Sequence, residues 1–259
     1  MKYGKRIYGF FTFGSPKAAL CVCGAAAVLC MCLLGACRVN VNSIKRMQAV
    51  EEGVSNPQTE EEIAEAIKKY QKRVEDIIAA ENQIGIWYKI LGVRYLDNGM
   101  YEKALEAFKS AAEYHTDNQN LYYYIGVCAG HMANAELEYP GGGAEKMRNA
   151  YLALAESAYL RALELEPRYV RSLYGLSVLY TFELNKADEA VPLLERLLTI
   201  DTKHVDAMFV LARAYYMVYE HQAAADMYDR ILHTTKNQAK RAKAEENKKK
   251  VLDDLYAGG

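Results

Sequence analysis

Apolar positions follow two different rhythms along this chain. Residues 18–36, AALCVCGAAAVLCMCLLGA, are apolar without interruption and carry no charge. From residue 59 to residue 256 apolar side chains instead recur every third or fourth position, the spacing that lines one face of an α-helix. Between the two regions, residues 37–58 are mostly polar and include Gly53 and Asn56-Pro57, so they read as a tether. Thr59 opens the first helix. Thr59 and Glu62 form a capping box, and Glu60, Glu61 and Glu62 put negative charge at the positive end of the helix dipole. Ile63, Ile67, Tyr70, Val74, Ile77 and Ile78 share one face. That spacing predicts an N-terminal helix over 59–84 that packs on the first of the following helices and covers its end. At the other end, residues 239–259 predict a last helix rich in Ala, Lys and Glu, docking through Val251, Leu252 and Leu255 with its charges in water.

Residues 85–238 repeat. The first unit, 85–118, carries Tyr88, Leu91, Gly92 and Tyr95, then Gly99 and Tyr101, then Ala104, Phe108 and Ala111. The second, 119–169, has Tyr122, Ile125, Gly126 and Ala129 followed by Ala155, Tyr159, Ala162 and Pro167, with an insertion over 130–150. The third, 170–204, has Leu173, Leu176, Ser177 and Tyr180, then Ala190, Leu194 and Leu197, with one extra residue in its turn. The fourth, 205–238, has Met208, Leu211, Ala212 and Tyr215, then Ala224, Tyr228 and Ile231. Small residues at Gly92, Gly126, Ser177 and Ala212 let paired helices approach closely, and Ala104, Ala155, Ala190 and Ala224 do so from the partner helix. Phe108, Tyr159, Leu194 and Tyr228 are the large residues that fill the space between units. This order of aromatic, Leu-Gly and Tyr, then Ala, aromatic and Ala, resembles the tetratricopeptide-repeat (TPR) family. The closing proline is missing from the first unit, where Thr116 stands. The resemblance implies an all-α superhelix, an α-solenoid of helix-turn-helix repeats with capping helices, in which no repeat buries its apolar face alone.

In that family the inward surface comes mostly from the first helix of each repeat. Carried over by position, one column reads Lys89, Tyr123, Tyr174, Phe209, and the next, four residues on, reads Val93, Val127, Val178, Arg213. Phe182, Tyr216 and Met217 lie one turn further and Arg171 lies three before Tyr174, so the expected groove is aromatic with a few cations. It suits an extended or helical peptide with apolar anchors, or an apolar small ligand. The pattern that clamps acidic chaperone tails is absent, since Lys89 is followed four later by Val93 rather than Asn. The 130–150 insertion reads as a helical hairpin broken at Gly141-Gly142-Gly143. Its arms, about eight residues longer than usual, should project roughly 12 Å beyond their neighbours.

Lys2, Lys5, Arg6 and Lys17 precede or enter the apolar run with no acid among the first 36 residues. The run ends in Leu34-Gly35-Ala36-Cys37, which resembles the lipobox of bacterial lipoproteins. That resemblance implies a signal peptide over 1–36, lipidation of Cys37, a palmitate-type anchor, and a body held on the extracytoplasmic, periplasmic side of a membrane. An uncleaved signal anchor is the alternative, since about 20 apolar residues span a bilayer. Of the six cysteines, four leave with the signal and Cys37 carries lipid, so Cys128 has no partner for a disulfide. The whole chain has 32 basic and 33 acidic residues; taking away the four N-terminal bases leaves 28 against 33. A mildly acidic body points away from nucleic acid as the main partner.

No catalytic constellation is visible. His115, His131, His204, His221 and His233 show no metal-ligand spacing, there is no GxSxG, and the glycines at 141–143 follow Pro140 rather than a strand. The expectation is a protein without enzymatic activity, metal or cofactor: a membrane-anchored adaptor that binds a protein partner, such as a component of an envelope complex. TPR lipoproteins that work beside the solute-binding protein of TRAP-type transporters are the alternative the resemblance implies, with an apolar ligand in the groove.

Overall fold

The computed structural model describes residues 57–138 and 143–257, and every regular element among them is an α-helix. The apolar run 18–36, Cys37, the tether up to residue 56 and the glycines Gly141 and Gly142 lie outside the described residues. In order the helices are α1 (Glu60–Asp97), α2 (Tyr101–Tyr114), α3 (Gln119–Glu138), α4 (Ala144–Leu165), α5 (Val170–Phe182), α6 (Ala187–Ile200), α7 (Val205–Met217), α8 (His221–Thr234) and α9 (Gln238–Ala257). The chain divides into two compact units between Arg73 and Val74.

Of the first unit, the described part is the start of α1. The capping box is formed there: the Glu62 amide donates to Thr59 Oγ1 at 3.2 Å, and the Glu62 carboxylate accepts from the amides of Thr59 (3.2 Å) and Gln58 (2.8 Å). The bond from Gln58, then that from Thr59, holds the Glu62 carboxyl below the ordinary carboxylate range.

In the second unit consecutive helices pack as antiparallel neighbours: α2 on α3, α3 on α4, α4 on α5, and so on to α8 on α9, with the further contacts α3 on α5 and α5 on α7. Those contacts between alternate helices line up α3, α5 and α7, the first helices of the last three repeats, along one side of the stack. The small-residue column does what its spacing predicts. A Cβ at Gly92 would meet the Phe108 ring at 2.7 Å, and one at Gly126 would meet the Tyr159 ring at 2.6 Å. Ser177 keeps its hydroxyl satisfied by donating to the Leu173 carbonyl at 2.7 Å. Ala104, Ala155, Ala190 and Ala224 are fully buried, as are Phe108 and Leu194. Buried apolar residues form two clusters. One joins α2, α3 and Ala158 of α4 around Phe108, Leu121 and Ile125; the other runs from Ala129 to Val251. Cys128 is free and buried in the first, and burial pushes its thiol up to about 12.

The turn inside a repeat is closed in a common way. Gly99, Asn185 and Tyr219 take left-handed φ values of 70°, 53° and 65°. Next to each, an amide reaches back to a tyrosine carbonyl at 2.8 Å: Met100 to Tyr95, Lys186 to Tyr180, Glu220 to Tyr215. The third repeat spans one residue more between donor and acceptor than the other two, the extra turn residue its spacing requires.

Two expectations are corrected. The N-terminal helix over 59–84 is not a separate element: α1 is one helix of 38 residues that runs on into the first repeat without a turn. Gly85 falls inside it, where a Cβ would strike His115 and Tyr114, so this glycine serves close packing on α2 rather than a break. Within the second unit, the face expected to be covered is open: Val74, Ile77 and Ile78 are each more than half exposed.

The insertion does lengthen α3 and α4, to 20 and 22 residues against 13 or 14 in the later repeats. Its lower half is packed rather than projecting. Ala133 and Leu152 are buried, His131 stacks on Tyr101 of the first repeat at 4.1 Å, and Arg148 pairs with Glu183 of the third at 2.6 Å.

Candidate functional site

Two neighbouring cavities open on the side formed by α3, α5 and α7. The first, of about 280 Å³, is walled by α3, α4 and α5. Tyr123, Val127, Arg171, Tyr174 and Val178 all line it. It owes its depth to Gly130 and Gly175, which present no side chain, and its polar rim to His131, Asn134 and Glu183. Tyr123 sits in an aromatic nest: Tyr124 at 5.3 Å, Tyr169 edge-on at 5.9 Å, Tyr159 at 6.2 Å. The Arg171 guanidinium lies 5.9 Å from the Tyr123 ring, and the Tyr169 hydroxyl donates to Asn120 at 2.7 Å. Burial raises the phenol of Tyr123 above its usual range and does the same for Tyr174, where Asp206 adds to it. Both therefore stay protonated and neutral.

The second cavity, of about 640 Å³, is walled by α5, α7, α8 and α9. Phe209, Arg213 and Tyr216 line it together with Phe182 and Tyr228. Val178 lines the first cavity and Phe182 the second, one helical turn apart, so α5 contributes to both. Arg213 stacks its guanidinium 5.3 Å from the Tyr216 ring. The Tyr216 hydroxyl donates to Asp254 of α9 at 2.8 Å, and that bond is the first cause of its raised pKa.

The groove columns thus divide. Of the twelve residues expected there, five meet in one cavity and four (Phe182, Phe209, Arg213 and Tyr216) in the other. Lys89, Val93 and Met217 line neither; Val93 instead packs against the cluster around Phe108. What the sequence reading missed is the contribution of α9. Lys243, Asn247, Lys250, Val251, Asp253 and Asp254 wall the larger cavity. Val251 and Ala244 are buried, which docks the helix, while Lys248 pairs with Asp229 at 2.5 Å and Lys250 with Glu246 at 2.6 Å. The sequence signal was present in the apolar Val251, but the charges beside it read equally well as a solvated face. Among the described residues no group of three or more His, Cys, Asp or Glu could hold a metal ion, and no described helix is long and apolar enough to cross a membrane.

Known proteins resemble this chain along most of its described length. Two tetratricopeptide-repeat family models match, over residues 145–204 and 181–245. A TPR repeat-containing protein of Borreliella burgdorferi is 25% identical over 188 residues, covering 72% of this chain and 76% of that protein. Superkiller complex protein 3 of Homo sapiens is 28% identical over 148 residues, 54% of this chain but 8% of that much longer protein. Among solved structures, YrrB, described as a TPR protein with an unusual peptide-binding site, superposes with a TM-score of 0.50 at 18% identity over 70% of this chain and 87% of its own. A tetratricopeptide repeat protein from Parabacteroides merdae reaches 0.53 at 19% identity, over 66% of this chain and 61% of its own. At these identities the superpositions speak for the fold alone, and the fold is an all-α TPR solenoid. With the repeat columns, the helix pairing and the family models in agreement, the chain carries tetratricopeptide repeats, matched by the family models over residues 145–245.

Proposed function

We propose that this chain is a membrane-anchored, extracytoplasmic adaptor, lipidated at Cys37, that holds a protein partner in the groove formed by its two cavities. Binding a protein partner is the ordinary work of TPR modules. The observation that carries the finer reading is that α5 walls both cavities, with Val178 in one and Phe182 a helical turn away in the other. Together they offer aromatic walls on three successive repeats with Arg171 and Arg213 set over tyrosine rings. An extended peptide with apolar anchors and an acidic group near each arginine matches that lining. YrrB supplies a precedent for peptide binding on a similar scaffold.

The alternative is a component associated with a TRAP-type transporter, binding the solute-binding protein and an apolar ligand. The volume of the larger cavity favours keeping it, because about 640 Å³ falls within the size range of small-molecule sites.

The test is an affinity capture from membranes with the full chain in mild detergent, run beside a Tyr123→Ala, Tyr174→Ala, Phe209→Ala variant of equal helicity. A partner captured by the parent and lost by the variant supports the groove. A partner retained by the variant removes the groove from consideration, and a small apolar molecule extracted from the parent alone moves the reading to the transporter class.

A further inference from the structure

The first repeat leaves exposed the positions that every later repeat buries. Trp87 aligns with Leu121, Ser172 and Ala207, all fully buried, yet is itself 60% exposed. Leu91 aligns with Ile125, Leu176 and Leu211, which are buried, and is 39% exposed. In the second repeat this face is covered by the helix pair before it: Leu121 and Ile125 share a cluster with Phe108 and Ala111 of α2. The equivalent face of α1 is a stripe. Ile77, Ala80, Ile84, Trp87 and Leu91 are spaced three and four apart, all exposed and all uncharged, the seam of a helix that packs on another helix. A contiguous exposed apolar stripe of this kind is the usual mark of an interaction surface.

We infer that this stripe is an interface between two copies of the chain, in which the α1 helices pack antiparallel about a two-fold axis. Repeat equivalence supplies the shape of the occupant, since an amphipathic helix covers the same positions wherever they are buried. The other end of the array cannot supply that helix. It is closed by α9, whose exposed side carries Glu245, Lys249 and Asp253, so stacking end to end would desolvate charges against Trp87 and Leu91. The contact that remains is the stripe on itself, the isologous arrangement of a two-fold dimer. Charge fixes the direction. Asp76 and Arg94 are 18 residues apart, five helical turns, so they flank the stripe on the same side at opposite ends. Antiparallel packing brings Asp76 of each copy to Arg94 of the other. In a parallel pair each flank faces the partner's opposite flank and Asp76 and Arg94 stay 18 residues apart along the seam, so no such pair forms. An antiparallel seam also sets Trp87 over the partner's Ile84, so the largest side chain meets a smaller one.

Trp87 is the sole tryptophan of the chain, so its emission reads the stripe directly. The experiment follows full-length chain, at constant detergent, by tryptophan emission and by light-scattering mass over a dilution series. The expected result is an emission that moves to the blue as concentration rises, with the same midpoint as a doubling of mass. Ile84→Glu, at unchanged helicity, should raise the dissociation constant at least tenfold. Asp76→Arg and Arg94→Asp should each weaken pairing, and the two together should restore it. Blue emission at every dilution with monomer mass would mean that residues 1–56 of the same chain cover the stripe. Red emission with monomer mass would mean that nothing does. Either overturns the inference, as does a dimer that survives Ile84→Glu or a charge pair that fails to rescue.

Discussion

The ring of Tyr159 takes up the space that a side chain at Gly126 would need, since a Cβ there would lie 2.6 Å from it. The same ring stands 2.8 Å from where a Cβ of Gly175 would be, so one tyrosine on α4 is held between glycines of α3 and α5. Gly126→Ala sets two effects against each other. Alanine in a helix interior is worth roughly 1 kcal/mol over glycine, while forcing a methyl group into a packed site costs about 1–3 kcal/mol. The contact is with a ring set between glycines of two helices, so the clash wins and the variant should lose about 1–2 kcal/mol. Gly130→Ala, where a Cβ would meet nothing within 4 Å, should instead gain up to about 1 kcal/mol. Urea unfolding of the pair checks both signs.

Tyr219 closes the turn of the fourth repeat at a φ of 65° that the first repeat gives to a glycine. Its side chain is 84% exposed and contributes little packing. Tyr219→Gly should therefore stabilise the chain by about 1 kcal/mol, because a non-glycine residue in that region costs on the order of 1–3 kcal/mol. A rise in the thermal midpoint is the readout.

His131 stacks flat on Tyr101, with ring planes 7° apart, and burial holds its pKa below the usual histidine value. The folded state thus binds its proton less readily than the unfolded chain. The contribution to stability is full above about pH 6.5 and is lost as pH falls through the depressed folded value. Acidification should weaken the chain in that window, and His131→Phe, which keeps the stack, should flatten the dependence. Denaturant midpoints taken across the window measure it.

Cys37→Ser should abolish incorporation of labelled palmitate. Whether the chain then leaves the membrane fraction separates a lipid anchor from a retained apolar span, because the span would hold the chain in place without the cysteine.

The repeat core was legible in the sequence because its columns answer a steric requirement that recurs with a fixed period. A small residue such as Gly126 must face a large one such as Tyr159, and the spacing alone identifies both. Gly175 was not legible, since its equivalents are Ile90, Tyr124 and Val210 and no column marks it. The site was half legible: Tyr123, Tyr174 and Phe209 follow from the repeat register, but the wall supplied by α9 depends on how that helix docks, which no period encodes. The single α1 was misread because an apolar stripe looks the same whether a neighbour covers it or not.

The two buried clusters have an unequal consequence under load. The one around Phe108 holds the first repeat, and the larger one, from Ala129 to Val251, holds the cavities. A pull applied from the N-terminal side would enter through α1 and reach the smaller cluster first. In a stack held by nearest-neighbour contacts, the first repeat can peel away as a fuse while the groove keeps its shape and its grip.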